Sequence, residues 1–192
     1  MIKYDDIPNQ CSLVFDFVVL DSPIKGKEGT PMTALSFTVA SAFENHYEMI
    51  REKIHELVAP LSTEQIWRCP YPYGNSIGHL LLHLTGNLNY YIGAQIADTG
   101  YIRHRDREFT DTENRAKEQV LADFDRAISM VVATVKKQSP EDWSSAYSAE
   151  REPESKDRFT IILRCASHAN HHIGQIIYLC TELTKSATQK AG

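Results

Sequence analysis

Three histidines stand within five residues in the stretch Ser167-His168-Ala169-Asn170-His171-His172-Ile173-Gly174-Gln175, and a spaced pair, His79 and His83, lies about ninety residues upstream. Imidazole is the commonest metal ligand among side chains, and zinc, nickel and iron all accept it. On a helix, residues four apart sit one turn apart on the same side, so each pair can address a single point. The chemistry on offer is coordination of a divalent ion between two helices.

The helices that must position these rings follow from hydrophobic period. Advancing each residue by roughly 100° puts Ile161, Ile162, Cys165, Ala166, Ala169, Ile173, Ile176, Cys180 and Leu183 on one broad apolar face. His168 and His172 fall about 40° apart on one margin of that face, whereas His171 projects away from it. Between Ser76 and Asp98 the apolar stripe is Ile77, Leu80, Leu81, Leu84, Leu88, Tyr91 and Ile92, and His83 lies nearer to it than His79. The angular argument therefore selects His83, His168 and His172 as metal ligands. A single histidine at the edge of an apolar face is more often a hydrogen-bonded core residue. Two at one-turn spacing, matched by a third on another helix, turn that balance towards metal.

The pass along the chain predicts four long helices. The first runs from Ala34 to the stop at Pro60. Ser62-Thr63-Glu64-Gln65 is a capping box opening a short turn before Trp67. The second long helix starts at Asn75 or Ser76 and ends near Thr99-Gly100. The polar stretch from Tyr101 to Phe109 then leads to a further capping box, Thr110-Asp111-Thr112-Glu113, and a third helix ending about Gln138. After an irregular connection with one short turn at Pro140 to Trp143, the fourth helix spans Arg158 to Leu183. The domain reading is an N-terminal extension over 1–32, a four-helix bundle over 33–184 and a flexible tail over 185–192. Within the extension, Cys11 to Leu20 has strand character but nothing obvious to pair with. Either the true start is Met32, or the segment packs on the bundle or on a partner.

Ser76-Ile77-Gly78-His79-Leu80-Leu81-Leu82-His83-Leu84, followed by His168-x-x-x-His172-x-Gly174-Gln175-Ile176, resembles the DinB-like superfamily, which includes the bacillithiol transferases and the mycothiol-dependent maleylpyruvate isomerases. The match runs from about Thr33 to about Leu183. Asn87 to Asn89 and Arg103-His104-Arg105-Asp106-Arg107-Glu108-Phe109 look like one subgroup with no settled reaction. The resemblance implies an all-α, DinB-like four-helix bundle in which one histidine of the second helix and two of the last bind a divalent metal. Carried over by position, these are again His83, His168 and His172. The resemblance also implies a homodimer and thiol-transferase chemistry.

Three neutral imidazoles leave the charge of a divalent ion uncompensated and at least one coordination position open, the mark of a catalytic site more than of a closed structural one. A metal-dependent thiol S-transferase acting with a low-molecular-weight thiol on a small-molecule substrate ranks first. A metal-dependent hydrolase ranks below it, because no HExxH pattern supplies the base. A non-catalytic metal- or ligand-binding bundle is the third reading. Zinc or nickel stands ahead of iron as the ion.

Other side chains carry secondary expectations. His79 is a surface or supporting residue before it is a fourth ligand. Asn87 and Tyr90 flank His83 at helical spacing, Gln175 lies beside His168, and Gly174 is placed to admit a neighbouring helix. Arg103, Arg105 and Arg107, interleaved with acidic residues, read as a solvated salt-bridge loop. Cys165 sits mid-face as a core residue, and Cys11, Cys69, Cys165 and Cys180 show no CxxC spacing. With 192 residues, 42% of them apolar, and a formal charge of −5, the chain suits one globular domain without the basic stripe that nucleic acid demands. It lacks a membrane-length apolar run and a signal-peptide pattern, so the expected location is cytoplasmic.

Overall fold

Residues 33–188 of the computed structural model are described, with side chains through Lys185. The expectations for 1–32, including the strand over Cys11 to Leu20 and the start at Met32, lie outside the described residues, as does the tail from 189.

Thr33, in an extended conformation, accepts the Ser36 N–H on its side chain and opens α1 (Ala34–Val58). Ala40, Phe43, Tyr47, Ile50, Ile54 and Val58 recur every three or four residues along it and are buried. The capping box at Ser62 and Gln65 is present and starts α2 (Thr63–Trp67). Ser76 caps α3 (Ile77–Leu88), which is apolar along most of its length.

The second long helix does not run to Gly100 as an α-helix. After Leu88 the ladder widens into a π-helical turn, Asn89–Ala94, and the Thr99 N–H closes back on the Gly93 carbonyl at 3.1 Å. A π-turn rotates the residues that follow it relative to a regular helix, a change of hydrogen-bond register that composition does not reveal.

The region expected to hold a capping box at 110–113 also differs. Thr110 ends a short helix, α4 (Arg107–Thr110), and the Asp111 carboxylate accepts the Glu113 N–H at 2.8 Å in a local turn. The third long helix, α5 (Lys117–Val135), starts later, and its cap residue Ala116 offers no side-chain hydrogen bond. Its first N–H, from Lys117, is instead satisfied by Thr63 Oγ1 of α2 at 3.1 Å. A capping box at Ser139 and Asp142 opens α6 (Pro140–Trp143). Asp157 accepts the Thr160 N–H at the start of α7 (Arg158–Thr188), which continues past Leu183.

The four long helices form an all-α bundle. Its principal contacts join α1 to α5 and α7, and α3 to the same two. Consecutive long helices α1 and α3 thus lie diagonally, and the histidine-bearing faces of α3 and α7 become neighbours. None of the helices among the described residues is long and apolar enough to cross a membrane.

Gly78 shows how closely α2 and α3 approach. A Cβ there would come within 2.5 Å of the Trp67 ring, which cannot easily yield because its Nε1–H donates to the Arg115 carbonyl at 2.8 Å. Gly78→Ala is expected to destabilise the fold by about 1–3 kcal/mol through overpacking. The measurement is urea unfolding; a lowered midpoint with unchanged slope is expected, and an unmoved midpoint contradicts the packing described.

Candidate metal centre

His83 projects from α3, and His168 and His172 from successive turns of α7. His83 and His172 are buried and His168 is half-buried. The Nε2 atoms converge: His83 to His168 is 3.2 Å, and His172 to His168 is 3.0 Å. Among the described residues these three form the group of potential ligands that could hold a metal ion. The rings stand nearly edge to face, with centroids 4.5 to 5.0 Å apart.

The outer nitrogens explain why the inner ones point at each other. His83 Nδ1–H donates to Glu108 Oε2 at 2.7 Å, and His172 Nδ1–H donates to Gln175 Oε1 at 2.7 Å. Each bond fixes a tautomer that leaves an Nε2 lone pair facing inward. His168 Nδ1 is buried with no partner among the described residues. One proton on His168 Nε2 can serve one of the two facing lone pairs and not both, whereas a cation at the centre serves all three. Tetrahedral zinc with bonds of about 2.0–2.1 Å would set its nitrogens roughly 3.3 Å apart, close to the two distances from His168, and all three donor nitrogens lie within 4.8 Å of one another. The donor set therefore fits a divalent ion.

Glu108 is the site residue that sequence reasoning missed. It comes from α4, is buried, and is gripped by Arg103 through Nε at 2.7 Å to Oε1 and Nη2 at 2.9 Å to Oε2. Arg103 is not part of a solvated loop: its side chain is 9% exposed and that of Glu108 is 7%. Burial disfavours the Glu108 charge, but the bonds from His83 and Arg103 win and hold its carboxyl below the usual range. Arg103 is correspondingly raised, against its own desolvation. The space for this carboxylate exists because α3 carries glycine at 86, three residues after His83; a Cβ there would collide with Glu108 Oε1. That mid-helix glycine is the signal in the sequence that something approaches closely.

His79 stands outside the cluster. Its Nδ1 accepts from Ser76 Oγ at 2.9 Å, and its Nε2–H donates to the Asp111 carbonyl at 3.0 Å. Both ring nitrogens are thus spent, Nδ1 at the cap of α3 and Nε2 on anchoring the end of α4, and with it Glu108. Asn87 is buried with Oδ1 unpartnered among the described residues, whereas His171 is exposed. Gln175 serves His172 instead of His168. Gly174 admits no neighbouring helix, since a Cβ there would meet nothing within 4 Å. Cys165 lies in the core, its thiol pushed up to about 12 by burial.

Fold and site together define a class: an all-α bundle carrying a three-histidine cluster braced by a buried carboxylate. Residues 36–190 match the family described as protein of unknown function (DUF1572), and the chain belongs to that family. The crystal structure of a conserved protein from Enterococcus faecalis superposes with a TM-score of 0.63 at 16% identity, covering 77% of this chain and 98% of that one. The likeness is one of fold. None of the curated proteins matches the sequence.

Burial, reinforced by the other imidazoles, pushes His168 down to about 3. Burial likewise takes His172 down to about 4, against the opposing bond to Gln175. Unfolded histidine titrates near about 6.5, so between that value and the folded ones the unfolded chain binds protons that the folded chain refuses. The stability of metal-free protein should be full above that pH and decline as pH falls towards the folded values. Urea midpoints measured from pH 7 to pH 4 test this, with His168→Ala, His172→Ala protein expected to show a flatter profile. A wild-type slope no steeper than that of the double variant contradicts it.

Proposed function

We propose that this protein is a DinB-like metal protein in which His83, His168 and His172 hold one divalent ion, zinc or nickel ahead of iron, and that it acts as a thiol S-transferase on a small-molecule substrate in the cytoplasm. The observation that carries the reading is the meeting of three Nε2 atoms at 3.0 and 3.2 Å, two of them held as lone-pair donors by Glu108 and Gln175. A bound divalent ion would supply Lewis acidity, lowering the pKa of a thiol or water that reaches it.

The surrounding residues favour a thiol over hydrolysis. Hydrolysis is helped by a general base free to take a proton from water, and Glu108 is the carboxylate beside the histidines. Glu108 is not free, because Oε1 accepts from Arg103 and Oε2 accepts from both His83 and Arg103. The same pairing cancels the Glu108 charge locally, so the positive charge of a bound ion would fall to an anionic ligand. Cys165 does not fill that role, since it lies in the core with its thiol held neutral at ordinary pH. We read the thiol as an exogenous one.

Cobalt-loaded protein titrated anaerobically with 2-mercaptoethanol tests this reading. A sulfur-to-cobalt charge-transfer band should grow in the near ultraviolet with wild type and be absent with His168→Ala. Cobalt that binds but shows no spectral response to thiol contradicts thiol chemistry while leaving the metal site intact.

A further inference from the structure

On the outer side of Arg103 lies a cleft of about 620 Å³, within the size range of small-molecule sites. Tyr90, Tyr91 and Tyr101 give it aromatic surface, and Arg103, Arg105, Arg107 and Arg151 bring cations to its lining. Two carboxylates, Asp106 and Glu150, also line it. They do not neutralise the arginines in place. Arg105 and Arg107 form no salt bridge within 4.0 Å among the described residues, and the Arg151–Glu150 pair, at 3.6 Å, joins two well-exposed side chains. Solvent-exposed guanidinium groups gathered in a concave, tyrosine-walled space match the chemistry of carboxylate or phosphate recognition.

The backbone points the same way. Arg151 adopts φ +71, a left-handed conformation suited to glycine and costly for a long side chain. Such strain persists where the surrounding structure enforces it, and here what the position gains over glycine is a cation in the cleft lining.

We propose that this cleft binds an anionic small molecule bearing carboxylate or phosphate groups, held by Arg105, Arg107 and Arg151. The cleft is one side chain away from the histidines by two routes. Arg103 lines it and grips Glu108, which bonds His83. Arg105 lies over the Phe109 ring at 5.3 Å, and that ring sits 4.8 Å from His83. The proposal does not require the histidines to hold a metal.

Isothermal titration of the full chain as purified, with succinate and with inorganic phosphate, tests it. Succinamide serves as the uncharged counterpart. At least one dianion should bind saturably at millimolar concentration, and its preference over the other identifies the recognised group. Binding should weaken tenfold or more in Arg105→Gln, Arg107→Gln protein and in Arg151→Gly, whose backbone the glycine suits, and should persist in His168→Ala. The proposal is overturned if neither dianion binds, if succinamide binds equally well, if the arginine variants bind undiminished with their helical spectra intact, or if binding vanishes in His168→Ala.

Discussion

Two imidazole lone pairs aimed at one point, with a third ring between them, cannot all be satisfied by protons. That constraint organises the centre of this molecule. His83 and His172 are committed by bonds on their outer nitrogens, so their inner nitrogens are acceptors, and His168 can answer only one of them. A water-filled pocket would relax the conflict, but this one lies between α3 and α7 with two of the three rings buried. Burial also depresses the basicity of His168 and His172, keeping them neutral where a protonated pair would repel. Neutral and convergent, the rings are arranged as ligands.

The rest of the local architecture supplies that arrangement. Ser76 starts α3 and bonds His79; His79 holds the Asp111 carbonyl; this fixes the end of α4, which carries Glu108. Gly86 leaves room for the carboxylate, and Arg103 neutralises it. A buried ion pair of this kind adds little net stability, because desolvation offsets most of the attraction. Its contribution is orientation: it fixes which nitrogen of His83 carries the proton.

Most of the bundle and all three histidines were legible in the sequence, because both depend on local period. One-turn spacing placed His168 and His172 together, and the apolar stripe of α3 singled out His83 over His79. The bracing of the site was not legible. Arg103 and Glu108 sit in a run of alternating charge that reads as solvated, and only the folding back of α4 buries them. The Asp111 turn imitates a helix cap, so α5 was expected too early, and the π-turn after Leu88 leaves no mark in composition. Gly86 and Gly78 were the available clues. Each marks a close approach, by Glu108 and by Trp67, whereas Gly174, in the motif itself, marks none.

The central claim is that three Nε2 atoms share one cation, and metal stoichiometry tests it most directly. Protein made without an affinity tag, equilibrated with zinc or nickel and dialysed, should retain one ion per chain. His83→Ala and His168→Ala variants with unchanged circular dichroism should each lose it. A wild-type chain that emerges metal-free, or alanine variants that keep their full complement of ion, would contradict the account.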